Sequence, residues 1–162
     1  MYYGWYDSLL GGLLLTCEDD GLTGLWMNRE EPEREDRHPI LEKAKLWLDA
    51  YFRGEDAAVD FPLAPRGTAF QMQVWEILKT IPYGKTVTYG DIAREMAVWA
   101  GKEKMSAQAV GQAVGRNPVS ILIPCHRVVG SGGKLTGYAF GLDKKVWLLE
   151  HENAIIGTTA LH

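Results

Sequence analysis

Cysteine is scarce in this 162-residue sequence, in which only Cys17 and Cys125 occur. Two cysteines are too few for a disulfide framework, and the absence of a CxxC pair argues against the usual zinc motifs. No metal site is expected either, because Cys17 and His38 lack further ligand partners in the N-terminal part. Free thiols suit a reducing compartment, so we expect a cytoplasmic protein.

Long apolar runs are also missing. The longest one near the start, LLGGLLL from Leu9 to Leu15, is far shorter than the roughly 20 apolar residues that span a bilayer. No basic segment precedes it, as one would in a secretory signal. Neither export nor a membrane partner is expected.

Positive charge is in short supply overall. The chain has 17 Lys and Arg against 21 Asp and Glu, a formal net charge of -4, which by itself discourages binding to nucleic acid. The two halves differ, however: residues 1–65 carry 6 basic and 14 acidic residues, whereas residues 66–162 carry 11 and 7. This asymmetry indicates a polyanion-binding module joined to an acidic one, although a modest excess of solvated lysines would give the same counts.

Hydrophobic residues make up 46% of the chain, which is typical of a folded globular protein. Within Gly11–Met27, two apolar runs flank the turn signal EDDG and predict a β-hairpin. Apolar residues at helical spacing predict a helix over Ile40–Phe52. Proline and glycine in FPLAPRG, Phe61–Gly67, mark a linker, so we place the domain boundary between residues 65 and 66.

The second part, residues 66–162, opens with helical patterns. Apolar spacing predicts a helix over Thr68–Ile81. Thr88 and Asp91 match a capping box, which predicts a helix through Met96, and a helix of small residues follows within Ser106–Pro118. Two short helices in succession indicate a helix-turn-helix, whose second helix enters a groove of DNA.

The second helix of this pair is rich in alanine and glycine. Only Gln108, Gln112 and Arg116 have long polar side chains, which argues against sequence-specific reading of a major groove. Small side chains let a helix lie close to a narrow groove, but they also let it pack tightly in a protein core. The residue pattern alone leaves both interpretations open.

A cysteine and a histidine are adjacent in ILIPCHRVVG, Ile121–Gly130. ILIP is predicted to be a short buried strand, which places Cys125 at a strand end where side chains open into pockets. His126 would point to the opposite side of an extended backbone, so that a water could relay a proton between the two. Free cysteines are usually buried structural residues; this interpretation is adopted for Cys17 and is the alternative for Cys125.

Together these segments resemble the O6-alkylguanine-DNA alkyltransferases, also called methylated-DNA-protein-cysteine methyltransferases. NPVSILIPCHRVVGSGGKLTGYAFG is similar to the signature of this family, and IPCHRV is its most specific part. The similarity extends through YGKTVTYGDIA, AVGQAVGRNP and KKVWLLEHE, covering nearly all of residues 66–152. The N-terminal GGLLLTCEDDGLTGLW is similar to the smaller domain of the family, with a less specific match.

The resemblance implies an α/β (α+β) fold with two domains. Residues 1–65 would form a small sheet-and-helix domain, ribonuclease H-like, and residues 66–162 a helix-turn-helix alkyltransferase domain, winged-helix-like. The implied function is direct-reversal DNA repair, in which the alkyl group of O6-alkylguanine, or of O4-alkylthymine, is transferred irreversibly to a cysteine of the protein. Each molecule would act once, as a monomer and without a cofactor, on double-stranded DNA bound through the minor groove with the nucleotide flipped out.

The resemblance also implies roles for individual residues. Cys125 matches the alkyl acceptor, His126 the water-linked base and Glu152 the carboxylate that orients this base. Tyr89 matches the tyrosine that protonates or hydrogen-bonds guanine N3, and Asn117 the hinge asparagine that ties the recognition helix to the active-site turn. Without the resemblance, Glu152 would be a solvated residue in a last helical turn, Tyr89 a helix cap and Asn117 a C-cap.

The implied guanine pocket involves four residues. Val128 would offer its backbone carbonyl to the guanine amino group, Ala139 its N–H to O6, and Tyr138 would line the alkyl pocket. Phe140 stands where the family pattern has a glycine, and we expect its ring to narrow the pocket rim. Bulky adducts such as benzyl are then expected to react poorly compared with methyl.

The predicted DNA contacts lie on the small-residue helix and beside the cysteine. They are Gln108, Ala109, Gly111, Gln112, Arg116 and Arg127. Many relatives carry an arginine finger at the position of Gln108. A glutamine can fill the gap that a flipped nucleotide leaves, but it supplies no charge for binding DNA.

Two other functions fit parts of this pattern. A damage-recognition protein of the same fold, without catalytic activity, would bind alkylated DNA and recruit partners, but such relatives lack the acceptor cysteine. A Cys-His hydrolase would act on a small molecule with many turnovers, and it would leave the helix-turn-helix and the charge asymmetry unexplained.

Overall fold

The chain forms two compact units in the computed structural model, which describes residues 1–154. One unit comprises Met1–Arg66 together with Pro118–Leu122, and the other comprises Gly67–Asn117 and the described residues from 123 onward. The predicted C-terminal domain thus loses Pro118–Leu122 to the first unit, and its residues 155–162 lie outside the described part. The small sheets and the helices confirm the α/β class predicted from the sequence.

The first unit is built on an antiparallel sheet with the strand order β1-β2-β3. These strands are β1 (Tyr2–Ser8), β2 (Gly11–Glu18) and β3 (Gly21–Trp26). The β2–β3 connection is the hairpin predicted around EDDG, which is therefore confirmed. The sequence pattern does not reveal β1, because aromatic residues occupy both faces of this strand and hide the alternation that marks a half-buried strand.

Alternate residues of β2 form the core of this unit. Leu13, Leu15 and Cys17 are each 0% exposed, as the two-residue period of a strand requires. Helix α1 (Pro39–Phe52) packs on the sheet. It buries Ile40, Leu41, Ala44, Leu48, Ala50 and Tyr51. Cys17 is thus a core residue, as its structural interpretation predicted.

Pro118–Leu122 joins the first unit through backbone hydrogen bonds to β3. The N–H of Leu25 donates to the carbonyl of Pro118 at 2.9 Å, and the N–H of Ser120 donates to the carbonyl of Leu25 at 3.3 Å. The segment therefore extends the sheet beyond its edge strand. Because the chain returns to the first unit at Pro118–Leu122, a single boundary in the sequence cannot separate the two units.

The described part of the second unit consists of helices and a parallel pair of very short strands. The helices are α2 (Ala69–Lys79), α3 (Tyr89–Ala100), α4 (Ala107–Gly115) and α5 (Leu142–His151), and the strands are β4 (Val87–Thr88) and β5 (Val128–Val129). Helices α3 and α4 pack against each other, as a helix-turn-helix requires. Across residues 1–154, none of the helices combines the length and the apolar character needed to cross a membrane.

Local sequence signals determine where α2 and α3 begin. The hydroxyls of Thr68 and Thr88 each accept the backbone N–H three residues on, and the side chain of that third residue accepts the N–H of the threonine. The capping box predicted at Thr88 is therefore confirmed. Helix α3 continues past the predicted Met96 to Ala100 and ends where Gly101 adopts a left-handed φ of 67°.

The strand predicted for ILIP is wrong. The chain turns through this segment, Ile121 has a φ of 71°, and the next residues, Cys125–Arg127, form a single turn of 3-10 helix. An extended path is broken because Ile121 is in the left-handed region and Pro124 has no N–H to give to a sheet. Cys125 therefore lies on a tight turn that precedes β5, rather than at the end of a strand.

Trp75 links α2 to α4. Its indole N–H donates to the carbonyl of Ala113 at 2.9 Å, and the residue is 2% exposed. Helical spacing alone identifies Val74 and Leu78 as core residues, and both are fully buried. The tryptophan between them supplies the largest buried side chain of the unit.

Replacing Trp75 with alanine should lower the free energy of unfolding by about 3–5 kcal/mol, because a large cavity opens between α2 and α4. Urea denaturation followed by circular dichroism measures the change. Trp99→Ala is the matched control: Trp99 is 48% exposed, and its loss should change stability by less than about 0.5 kcal/mol. Equal effects of the two substitutions would contradict the packing role of Trp75.

Candidate active site

Cys125 begins the 3-10 turn and faces a cavity. Its N–H donates to the carbonyl of Ile123 at 2.8 Å. The residue is 6% exposed, yet it lines a cavity of about 180 Å³. The thiol is therefore shielded from bulk water but accessible to a ligand that enters the cavity.

The cavity is enclosed by the start of α3, one face of α4, the cysteine turn and the segment before α5. Its lining residues are Tyr89, Gly111, Val114, Gly115, Cys125, Gly137, Tyr138 and Ala139. The structure thus brings Tyr89, Tyr138 and Ala139 to the cysteine.

Val128 and Phe140 are not among the described residues that line this cavity. Val128 is fully buried in β5, and its predicted role concerns only its backbone carbonyl. The ring of Phe140 packs edge-on against Tyr138, with the two centroids 5.9 Å apart. Phe140 thus contacts the wall residue Tyr138 and does not itself line the cavity, and the narrowing expected at the rim stays a prediction.

Asn117 connects the end of α4 with the cysteine turn. Its amide Nδ2 donates to the carbonyl of Ile123 at 2.6 Å, and the residue is 5% exposed. The same side chain hydrogen-bonds Cys125. A shift of α4 would therefore move the backbone that positions the sulfur.

His126, the residue after Cys125, forms a buried pair with Glu152. The ring Nε2 of His126 lies 2.6 Å from Oε2 of Glu152, and both side chains are 0% exposed. Nδ1 of the ring is also buried and has no hydrogen-bond partner among residues 1–154. Because a carboxylate accepts, Nε2 carries the hydrogen and Nδ1 presents a lone pair.

Arg127 anchors the other side of the carboxylate. Its Nε donates to Oε1 of Glu152 at 2.7 Å, and its Nη1 donates to the carbonyl of Ile81 at 2.8 Å. The backbone N–H of Gly84 also points to Oε1, at 3.5 Å. Arg127 is 8% exposed and has its partners inside the protein, so the DNA contact predicted for it is corrected to an internal role.

The environment keeps the histidine neutral and the carboxylate ionised. Burial lowers the pKa of His126, despite the opposing hydrogen bond and charge of Glu152. Burial by itself would raise the pKa of Glu152, but the hydrogen bonds from His126 and Arg127 and the charge of Arg127 outweigh it and lower the pKa. A neutral imidazole oriented by a fixed carboxylate is suited to accept a proton.

Lys145 is a charged residue of the site that the sequence predictions did not include. The side chain is 0% exposed, and Nζ donates to the carbonyls of Thr136 at 3.0 Å and Gly137 at 3.2 Å. Burial lowers the pKa of Lys145 to about 8, with an opposing contribution from Cys125. The lysine thus holds the segment that lines the cavity and places a cation near the thiol.

Two opposing influences act on the thiol. Burial raises the pKa of Cys125, while the hydrogen bonds from Asn117 and Tyr138 and the charge of Lys145 favour the thiolate. The burial effect is the larger one, so the resting side chain is a thiol. A reaction through its sulfur requires that the proton leave as the new bond forms.

Tyr89 stands on the cavity wall at the first turn of α3. Thr88 caps this helix and so determines where the tyrosine is placed. Burial raises the pKa of Tyr89, although a hydrogen bond with Thr136 acts in the opposite direction. The hydroxyl therefore stays protonated at neutral pH and can donate to a ligand in the cavity.

Helix α4 has a buried face and an exposed face. Val110, Ala113 and Val114 are buried. The predicted DNA contacts Gln108, Gln112 and Arg116 are exposed, and Ala109 and Gly111 are partly exposed. The buried face confirms that the small-residue helix packs in the core, whereas the contact of the exposed face with a groove of DNA stays a prediction.

The residues that the sequence predictions missed are Lys145, Thr136, Gly137 and the α4 residues Val114 and Gly115. A signal for Lys145 exists: it lies three and four positions before Leu148 and Leu149, on the apolar face of α5. A lysine on such a face is expected to have buried acceptors. The cavity-lining positions of α4 carry no comparable signal, because alanine and glycine occur on both of its faces.

Metal-binding side chains do not cluster in the described part of the chain: residues 1–154 contain no group of three or more His, Cys, Asp or Glu side chains that could hold an ion. His38 instead caps α1, accepting the N–H of Ile40, and its Nε2 lies 3.1 Å from Asp19.

Two family models match the chain. The model described as 6-O-methylguanine DNA methyltransferase, DNA binding domain, matches residues 69–154. The model described as 6-O-methylguanine DNA methyltransferase, ribonuclease-like domain, matches residues 1–65.

Similar proteins span the same length. The methylated-DNA--protein-cysteine methyltransferase of Methanosarcina acetivorans is 44% identical over 160 residues, covering 95% of this chain and 99% of the relative. The protein of that name from Mycobacterium tuberculosis is 43% identical, with 95% and 93% covered.

Solved structures agree with these matches. The crystal structure of Mycobacterium tuberculosis OGT in complex with DNA superposes with a TM-score of 0.82 at 40% identity, covering 99% of both chains. An O6-methylguanine DNA methyltransferase from Methanococcus jannaschii superposes with a TM-score of 0.64 at 30% identity, with 94% of this chain and 95% of that one covered. From the site, the two matched domains and these relatives it follows that the chain belongs to the 6-O-methylguanine DNA methyltransferase family.

Proposed function

We propose that this protein repairs DNA by direct reversal, with Cys125 as the acceptor of the alkyl group from O6 of an alkylated guanine. The carrying observation is a cysteine that lines a cavity and is followed in the chain by a histidine. The Nδ1 of this histidine has no hydrogen-bond partner among residues 1–154, and its Nε2 lies against a fixed carboxylate. Membership of the methyltransferase family supports the same reaction. O4-alkylthymine carries its alkyl group on a similar ring oxygen and is proposed as a second substrate.

The proton of the thiol must leave during the reaction. Nδ1 of His126 is the buried acceptor that is free to take it, through a bridging water. Glu152 holds the opposite nitrogen and stabilises the imidazolium that forms. Arg127 keeps this carboxylate ionised and fixed, so the relay is oriented before substrate binds.

The sulfur then attacks the alkyl carbon in line with the bond between that carbon and O6. A sulfur–carbon bond forms, the bond between carbon and O6 breaks, and its electron pair leaves with the guanine. The hydroxyl of Tyr89, protonated and on the cavity wall, is placed to donate a hydrogen bond or proton to guanine N3. Because the cysteine thiolate is a poor leaving group, the alkyl group stays on Cys125 as a thioether and each molecule acts once.

DNA must deliver the base to a cavity that is too small for a duplex. Since α4 contributes part of the cavity wall and exposes Gln108 and Gln112, it is the proposed contact with the minor groove. A nucleotide turned out of the helix would enter beside this face, at a cost of a few kcal/mol for unstacking. Gln108 is proposed to fill the gap left in the stack.

The proposed cellular location follows from the chemistry of the thiol. A free thiol that must act as a nucleophile persists in a reducing compartment, so we place the protein in the cytoplasm. All side chains of the relay come from one chain, so a monomer suffices for the reaction.

Incubation with a duplex containing O6-methylguanine should add one methyl group in place of a hydrogen, in a 1:1 ratio of protein to lesion. Intact-mass spectrometry followed by peptide mapping should locate it on Cys125. Cys125→Ser should gain nothing, and Cys17→Ser, the control, should react like the native protein because Cys17 is buried in the first unit. Consumption of many lesions per molecule, or an unchanged protein mass, would contradict the proposal.

Glu152→Gln should slow the methyl transfer by about 100-fold or more, because an amide neither stabilises the imidazolium nor fixes its tautomer. Single-turnover assays with the same duplex measure the rate. The substitution also leaves the Arg127 cation without its counter-charge, so unfolding must be checked to ensure that the assayed protein is folded. Glu150→Gln, two positions earlier on α5, is the control and should keep the native rate.

Lys145→Met should move the pH dependence of alkyl transfer to higher pH and slow the reaction about tenfold near neutral pH, because a cation that favours the thiolate is lost. The two proteins should converge above a pH of about 8, where the native Lys145 loses its own charge. Lys134→Met, an exposed lysine, is the control. A constant rate ratio across the whole pH range would show that Lys145 acts only through packing.

A further inference from the structure

The sheet of the first unit carries a row of apolar side chains on its outer face, which we call the tryptophan row. Strand pairing sets Trp5 of β1 opposite Leu14 of β2, and Leu14 opposite Trp26 of β3. Directly paired residues share a face of a sheet, so these three side chains lie side by side across it. Leu13 and Leu15 alternate with Leu14 and are buried on the other face, where α1 packs. The tryptophan row therefore lies on the face that α1 does not cover.

Glycines make room for the two tryptophan rings on this face. A Cβ at Gly12 would overlap the ring of Trp5, and a Cβ at Gly24 would overlap the ring of Trp26. Each ring thus lies over a glycine of the sheet. Trp5, Leu14 and Trp26 are nevertheless only partly buried. The tryptophan row therefore presents aromatic surface to a ligand.

One of the two rings already has a cation against it. Cζ of Arg29 lies 4.7 Å from the centroid of the Trp26 ring. Guanidinium and ammonium groups are attracted to the face of a tryptophan ring because the π-electrons make that face negative. The contact of Arg29 therefore shows which chemistry a ring of the tryptophan row accepts.

The other ring has a carboxylate beside it but no cation. The indole N–H of Trp5 donates to Oδ1 of Asp7 at 3.0 Å, which places this carboxylate at the edge of the ring. Asp7 is exposed, and no lysine or arginine among residues 1–154 pairs with it or lies over the Trp5 ring. A cation placed over Trp5 would be attracted by both the ring face and the carboxylate.

The charge of the first unit selects the kind of ligand. Residues 1–65 carry 14 acidic and 6 basic residues. Glu30, Glu31 and Glu33 are exposed and follow Arg29 in the segment that leads from β3 to α1. Such a surface attracts a cationic partner and repels the phosphates of nucleic acid. Charge complementarity thus favours a basic polypeptide, although nucleic-acid bases also stack on aromatic rings.

We propose that the tryptophan row is a docking surface for a lysine- or arginine-rich segment of a partner protein. A cationic side chain of the partner lies over the ring of Trp5 and pairs with Asp7, and an apolar side chain beside it covers Leu14. Arg29 occupies the second ring from within the chain, which leaves one cation site open. This binding is separate from alkyl transfer, because the tryptophan row belongs to the first unit and Cys125 to the second.

The test uses the full chain and a fluorescein-labelled synthetic peptide of alternating arginine and alanine, with fluorescence anisotropy at physiological ionic strength as the readout. Trp5→Leu keeps an apolar side chain but removes the aromatic face, and Asp7→Asn removes the charge of the carboxylate. Trp99→Leu is the control for loss of a partly exposed tryptophan, since Trp99 is 48% exposed on α3. Asp60→Asn, at an exposed position outside the strands, is the control for the change in net charge.

Trp5→Leu and Asp7→Asn should each weaken binding of the arginine peptide about 3-fold or more, because each removes one attraction on the cation. Trp99→Leu and Asp60→Asn should bind like the native protein. The same peptide with glutamate in place of arginine should not bind. Equal affinities of the native protein and all four variants overturn the proposal, because the acidic surface would then bind the peptide without the ring.

Arg29→Gln gives a result that a folding defect cannot imitate. Removal of the guanidinium uncovers the Trp26 ring, so this variant should bind the arginine peptide about 3-fold or more tightly than Arg37→Gln does. Arg37→Gln makes the same change in net charge at an exposed position. Equal affinities of the two variants overturn the assignment of the ring as a cation site.

Two other occupants are distinguished by the same Trp5→Leu variant. Sedimentation velocity that shows self-association of the native protein, abolished by Trp5→Leu, would assign the tryptophan row to a second copy of the chain. Binding of a labelled oligothymidylate that Trp5→Leu weakens would assign it to single-stranded nucleic acid. Either result overturns the proposal of a basic protein partner, whereas a monomer with oligothymidylate binding unchanged by Trp5→Leu supports it.

Discussion

The hydrogen-bonded carboxylate of Glu152 is the interaction on which the active site depends. A buried carboxylate is costly unless its oxygens are satisfied, and here Oε1 accepts from Arg127 and Oε2 accepts from His126. Arg127 also binds the carbonyl of Ile81, so one guanidinium joins the end of α5 to the connection that follows α2. The same contacts that offset the cost of burial also orient the imidazole. Stability of the unit and readiness for proton transfer therefore have a common origin.

The cysteine combines protection with reactivity. Burial raises the pKa of Cys125 and keeps the sulfur protonated, which suits a protein that reacts only once and must not be consumed by side reactions. Asn117, Tyr138 and Lys145 favour the thiolate, and they do so through contacts that also shape the cavity. Most of the rate must come from holding a base in line with the sulfur, because a shift in thiol pKa contributes little by comparison.

Helix α4 has two faces of different composition. Its buried face packs through Val110 and Val114, and its other face combines exposed glutamines with glycines. The same small residues that would let the helix approach a groove of DNA leave the cavity wall open at Gly115.

The sequence by itself determined the local features that short segments encode. The capping box of Thr88, the EDDG hairpin and the helical spacing of α1 depend on residues a few positions apart, and the adjacent Cys125 and His126 carry the family signature. Tertiary structure decided the inward turn of Arg127, the contact of Lys145 with the segment before α5 and the turn in place of the ILIP strand. These depend on charges and carbonyls brought together from distant segments, and the cost of burying a cation is known only once its acceptors are in place.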